Sequence, residues 1–118
     1  YLFVAPLASA TTYLGKTFGE IMEEEDSKDL MKGLLCEVEL VGRAQGISLP
    51  ENSQKVLMDK ISLFPYETKS SMQMDFEKGE KTEIDTFTGY VVRVAKSHGI
   101  AVPLHEKVYA SLRKRSEI

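Results

Sequence analysis

Apolar residues recur at spacings of three and four along nearly the whole chain. Leu30, Met31, Leu34, Leu35, Val38 and Val41 form one stripe, with Lys28, Lys32, Glu37, Glu39 and Arg43 assigned to the other face. That pattern predicts an amphipathic helix with one side in a core. Val56, Leu57, Ile61 and Phe64 make a second stripe; Ile84, Phe87, Val91, Val94 and Ala95 a third; Leu104, Val108 and Leu112 a fourth. Residues 1–14 are apolar and small, with Leu2, Val4, Leu7, Ala8 and Tyr13, and predict a buried helix already under way at Tyr1, with Pro6 near its start or at a kink. No segment alternates with period two, so no strand is placed. The expected fold class is all-α, a compact multi-helix domain over residues 1–118.

The breaks between stripes are as regular as the stripes. Gly46-Ile47-Ser48-Leu49-Pro50 and Gly99-Ile100-Ala101-Val102-Pro103 are near copies. In each, Gly supplies a left-handed helix end, Ile folds back onto the last turn, and Pro opens the next helix where its missing N–H costs nothing. Two helix–turn–helix hairpins with one connector type follow. Ser70-Ser71-Met72-Gln73 reads as a capping box, and Thr82-Glu83-Ile84-Asp85 as a second helix start. Gly79 ends the short helix between them, and residues 64–69 form the loop before it. The run Glu23, Glu24, Glu25, Asp26 reads as a solvated start to the second long helix rather than a metal site.

Composition narrows the classes. With 118 residues, 42% hydrophobic and 28% charged, the chain is one ordinary globular domain. A net charge of −3 argues against nucleic acid. The basic cluster Arg113, Lys114, Arg115 closes the last helix, where it suits the helix dipole. Cys36 is the one cysteine, so no internal disulfide forms; inside a helical stripe it is expected to be a small buried apolar residue. No apolar run reaches membrane-spanning length and no signal peptide is evident, which fits a cytoplasmic setting. A start at Tyr1 within an apolar segment is expected of a piece of a longer protein.

Little self-contained chemistry is visible. His98 falls in the last turn before Gly99, and His105 in the first turn of the last helix, a poor place for a cation. Neither has ligands at metal spacing, so no metal is expected. No glycine-rich phosphate loop follows a strand pattern. Residues 70–85 are richer in polar groups than structure demands. Ser71 and Asp75, four apart, share a helix face, and two helix starts offer free N–H groups to an anion such as a carboxylate. Caps alone explain the same residues: Ser70, Thr82 and Asp85 as caps, Glu83 as a first-turn acid. Both readings stand on chemistry alone.

The spacing Ser70-Ser71-Met72, Asp75, Gly79, Thr82-Glu83-Ile84-Asp85 resembles the signature of the ketopantoate reductase C-terminal domain, S-S-M-x-x-D followed by T-E-I-D, without insertion. Gly89-Tyr90-Val91-Val92, His98-Gly99-Ile100 and Pro103 continue that family's pattern, and Pro6-Leu7-Ala8 and Gly19-Glu20-Ile21 resemble its first helix and the turn after it. The resemblance spans essentially the whole chain and implies the helical fold of 6-phosphogluconate dehydrogenase C-terminal domains. It also implies a parent whose absent N-terminal Rossmann domain holds NADPH and reduces a 2-oxo acid, 2-dehydropantoate, in pantothenate biosynthesis. It places Ser71 and Asp75 at the substrate and Glu83 at the cofactor. The family's acid lysine would fall just upstream of Tyr1, so the isolated domain is expected to be silent. Three family asparagine positions fall on Tyr1, Ala5 and Phe18, none an amide; Thr11 and Thr12 are the candidates to supply those contacts, or the parent reduces a different 2-oxo acid. Partners implied are the substrate, the Rossmann domain and a possible homodimer. The rival reading is a helical dimerisation module in which an exposed, apolar first helix drives self-association.

Overall fold

The computed structural model describes residues 4–47, 51–79 and 84–116, and every regular element among them is a helix. In chain order these are α1 (Val4–Leu14), α2 (Phe18–Glu23), α3 (Glu25–Ala44), α4 (Ser53–Ser62), α5 (Ser71–Glu77), α6 (Ile84–Ser97) and α7 (Pro103–Ser116). The radius of gyration, 13.6 Å, is that of one packed body of this length.

The stripes predict the core well. Met31, Leu34, Leu35, Val38 and Val41 of α3, Leu57 and Ile61 of α4, Ile84, Val91 and Ala95 of α6, and Val108 and Leu112 of α7 are all buried. Phe64 departs from its stripe. It lies past the end of α4, half exposed, and meets Phe18 edge-on at 5.4 Å. α1 is the central element, packed against α3, α5, α6 and α7. Five consecutive residues, Ala8 to Thr12, are buried on every side, and small side chains there let four helices approach closely. Over this stretch α1 offers no free apolar face.

The two matching connectors begin alike. Gly46 (φ +80°) and Gly99 (φ +68°) take the left-handed conformation. Ile47 N donates to Gly42 O at 2.9 Å and Gly46 N to Arg43 O at 3.0 Å; Ile100 N donates to Ala95 O at 2.8 Å and Gly99 N to Lys96 O at 3.2 Å. These paired bonds close the last carbonyls of α3 and α6 in a Schellman turn. Pro103 opens α7 as expected. Residues 48–50 lie outside the described residues, and α4 begins only at Ser53.

Two expectations fail and a third proves incomplete. Cys36 is exposed, not buried, with the Gln54 amide 2.7 Å from its sulfur. Glu37 is buried rather than on a solvated face. Its carboxylate accepts from the backbone N–H groups of Leu104 and His105, both at 2.9 Å, and from His105 Nδ1 at 2.7 Å. His105 is fully buried too, so α3 supplies the cap that the first turn of α7 lacks in its own sequence. The basic cluster also does more than complement one dipole: Arg115 donates to Tyr13 O at 2.9 Å and lies over the Tyr13 ring, reaching the last turn of α1.

Candidate functional site

Residues 70–79 and the start of α6 are held against α1 by buried hydroxyls. Ser70 caps α5: its Oγ accepts from Gln73 N at 3.1 Å and lies 2.7 Å from Thr11 Oγ1. The reciprocal half of the expected capping box does not form, because the Gln73 amide turns toward Glu77 Oε2 instead. One helix on, Thr88 Oγ1 meets Ser9 Oγ at 2.7 Å, both fully buried. α1 therefore fixes α5 and α6 relative to each other through two hydroxyl pairs in a water-poor interior, where such bonds are costly to leave unmade. Replacing Ser70 by Ala is expected to cost about 1 kcal/mol, because the Thr11 hydroxyl keeps the carbonyl oxygens of Leu7 and Ala8. A urea midpoint equal to wild type would show that the cap contributes nothing.

On this frame Ser71 is exposed at the first position of α5, and Asp75, one turn on, is half buried. The short helix presents both while burying Met72 and Gln73. Thr82 and Glu83 lie outside the described residues. Lys69, just before α5, pairs with Glu77 at 2.7 Å and holds that carboxyl below the usual carboxylate range. Thr11 and Thr12 are buried inside the domain. Thr11 is committed to Ser70 and to α1's own carbonyls, so neither residue reaches a surface where substrate contacts could be made. Phe18, at one of the family's asparagine positions, is a core residue.

The loop leading into α5 is fastened to α2. Phe18 N donates to Thr68 O at 2.9 Å and Gly19 N to Tyr66 O at 3.0 Å. Thr17 caps α2 in a complete capping box with Glu20. The pattern Thr-x-x-Glu at Thr17 and Glu20 marks this helix start in the sequence, where the family resemblance implies a turn at residues 19–21. The backbone N–H of Thr17 and its hydroxyl hold the Glu20 carboxyl below its ordinary value.

Among the described residues no three His, Cys, Asp or Glu side chains gather as a metal set, and no helix is long and apolar enough to cross a membrane. His98 is exposed. The exposed hydroxyl of Ser71 and the half-buried carboxylate of Asp75 suit contacts to hydroxyl and carboxylate groups.

Comparison with known proteins agrees with the all-helical fold. The family model for the ketopantoate reductase PanE/ApbA C terminus matches residues 1–116. The uncharacterized oxidoreductase YkpB of Bacillus subtilis is 32% identical over 113 residues, 96% of this chain and 37% of that protein. The 2-dehydropantoate 2-reductase of Yersinia pestis is 29% identical over 87 residues, 74% of this chain and 29% of that protein. The dimeric ketopantoate reductase of Staphylococcus aureus superposes with a TM-score of 0.90 at 25% identity, covering 98% of this chain and 41% of that one. The chain thus spans about two fifths or less of each relative.

Proposed function

The chain belongs to the ketopantoate reductase C-terminal family, and on that premise we propose that it is the substrate-binding and domain-closing half of a cytoplasmic, NADPH-dependent 2-dehydropantoate 2-reductase. The observation that carries the reading is the double hydroxyl joint on α1, Thr11 with Ser70 and Ser9 with Thr88. It ties α1 to the start of α5 and to α6, the segments that carry or adjoin the family's signature. NADPH, when bound, supplies the hydride. Ser71 offers its hydroxyl to the oxygens of the 2-oxo acid from the exposed start of α5. Asp75 supports the same face. Glu83 accepts a hydrogen bond from a ribose or substrate hydroxyl. The proton donor, by the family pattern, is a lysine upstream of Tyr1 in the parent, and the domain alone is silent. The parent is a homodimer in this reading, as the S. aureus relative is described to be.

The test is NADPH oxidation by the full-length parent with 2-dehydropantoate, beside Glu83→Gln and Ser71→Ala. Loss of one hydrogen bond to a polar substrate is expected to lower kcat/KM about tenfold or more. Unchanged kcat/KM in both variants would remove the site assignment. A second reading follows from the amides missing at Ala5 and Phe18: without those donors, the parent would reduce a different, less polar 2-oxo acid. A substrate panel in which 2-dehydropantoate ranks below an alkyl or aryl 2-oxo acid would establish that reading instead.

A further inference from the structure

We propose that Lys78 and Met74 of α5 are specificity-determining residues of the parent reductase: the Lys78 ammonium holds the carboxylate of the 2-oxo acid, and the Met74 side chain packs on its carbon chain. The proposal rests on the reading of Ser71 and Asp75 as substrate contacts.

Ser71, Met74, Asp75 and Lys78 stand at i, i+3, i+4 and i+7, so they share one face of the helix. Lys78 keeps that register because its N–H donates to Met74 O at 3.2 Å, closing the last turn. The other side of α5 is packed into the domain through buried Met72 and Gln73 and partly buried Phe76. On the shared face Ser71 and Lys78 are exposed and Asp75 is half-buried. Met74, the one apolar member, is 42% exposed. Polar groups on the two sides are used differently. On the inner side Ser70 meets Thr11, and Lys69 and the Gln73 amide nitrogen both meet Glu77. On the outer face the side chains of Ser71, Asp75 and Lys78 have no hydrogen-bond or ion-pair partner among the described residues. Asp75 and Lys78, of opposite charge and one turn apart, do not join each other.

Charge decides what this face can hold. Ser71 is neutral and Asp75 anionic, so those two alone would repel a substrate that carries a carboxylate. Lys69, just before the helix, is spent on Glu77. Lys78 brings the stripe to neutrality and gives the acid a cation. It lies about 10 Å along the helix axis from Ser71, and its flexible stem can lie back over Met74. The unbranched Met74 side chain adapts to the shape of an alkyl group. Ser71 and Asp75 are then left for the oxygens and hydroxyl groups of the same molecule. An apolar surface with a few polar groups converging on it is the usual make-up of a small-molecule contact.

The experiment uses the full-length parent at saturating NADPH, with 2-dehydropantoate or the acid it reduces best. No contact of the fold depends on this face, so the thermal midpoint should hold in each variant. Lys78→Gln is expected to raise KM about tenfold, the equivalent of one charge-assisted hydrogen bond, while kcat stays within about twofold. Lys78→Arg should restore most of the loss, and added salt should raise KM less in Lys78→Gln than in wild type. Met74→Ala should raise KM about fivefold for a branched acid and little for pyruvate, whose single methyl group offers less to pack against. If Ser71→Ala raises KM and Lys78→Gln does not, or if Lys78→Gln weakens NADPH binding in a fluorescence titration instead, the Lys78 assignment is wrong and the site reading survives. An equal rise for pyruvate and the branched acid in Met74→Ala removes the role of Met74. If Ser71→Ala, Asp75→Asn and Lys78→Gln all leave KM unchanged, the proposal and the site reading both fall.

Discussion

Replacing Glu37 by alanine is expected to destabilise the chain by about 3–5 kcal/mol, the largest loss of any single polar substitution here. The reason is the number of donors that depend on one carboxylate. Leu104 N, His105 N and His105 Nδ1 all donate to it, and His105 is 0% exposed. A carboxylate only accepts, so the His105 hydrogen on this side is at Nδ1. His105 Nε2 has no partner among the described residues, so the ring cannot turn to better company when Glu37 is lost. Guanidinium denaturation of wild type and Glu37→Ala measures the loss. A difference below about 1 kcal/mol would show that water repairs the site and that the pair is marginal.

The same carboxylate makes stability depend on pH. Burial alone would raise the Glu37 value, but the bonds from the His105 ring and from the Leu104 and His105 amides outweigh it and hold the group below the usual glutamate range. The unfolded chain therefore takes up a proton at a higher pH than the folded one. Its stabilisation is complete above the ordinary glutamate range, and is lost as pH falls through the depressed folded value. Urea midpoints taken from neutral pH downward should fall more steeply for wild type than for Glu37→Gln. Parallel curves would assign the acid sensitivity to other carboxylates.

Gly19→Ala is expected to cost about 1–3 kcal/mol by overpacking, although the residue lies in a short surface helix where Ala is ordinarily the better choice. A Cβ at position 19 would sit 2.1 Å from Tyr66 Cδ2 and 2.4 Å from Cγ. Because the clash includes the root of the ring, rotating the ring about its own axis does not relieve it. Swinging the side chain away gives up the bond from Tyr66 Oη to Glu23, 2.8 Å, and strains the Gly19 N to Tyr66 O bond. Tyr66→Ala in the same chain should recover most of the loss, so the double variant should be clearly more stable than the two single changes would sum to. Additive effects would mean that the loop simply moves aside. The loop leads into Ser70, so the damage should also show as slower turnover in the parent.

What the sequence made legible was what is local. Gly46-Ile47 and Gly99-Ile100 fold as read because a Schellman turn is decided within six residues. The Ser70 cap and the Gly79 stop are equally short-range. Glu37 was misread because its partners lie 67 and 68 residues away. A charge beside a stripe reads as solvated until the helix start that needs it is known. Cys36 failed for the mirror-image reason: a helical pattern says that a face exists, not where its edge falls. Of the candidate site, Ser71 and Asp75 came from the family signature, and geometry adds that one is exposed and the other half covered. The hydroxyl pairs from α1 carry no sequence mark: Ser9 falls in a run of small residues, and Thr11 reads there as a candidate substrate contact, not as a partner of Ser70.

The central place of α1 also governs when the chain can fold during synthesis. Its partners arrive late: Ser70 is 59 residues after Thr11, Thr88 is 79 after Ser9, and Arg115 is 102 after Tyr13. At ordinary elongation rates the helix leaves the ribosome roughly 5–20 s before the last of them. During that interval α1 can pack on α3, but its sides toward α5, α6 and α7 stay uncovered. The α3 stripe can gather α1 and α2 early, but α1 is closed over only when α7 arrives. A nascent chain stalled before α7 should therefore be a chaperone client and protease-sensitive at α1, while one released after α7 should close at once.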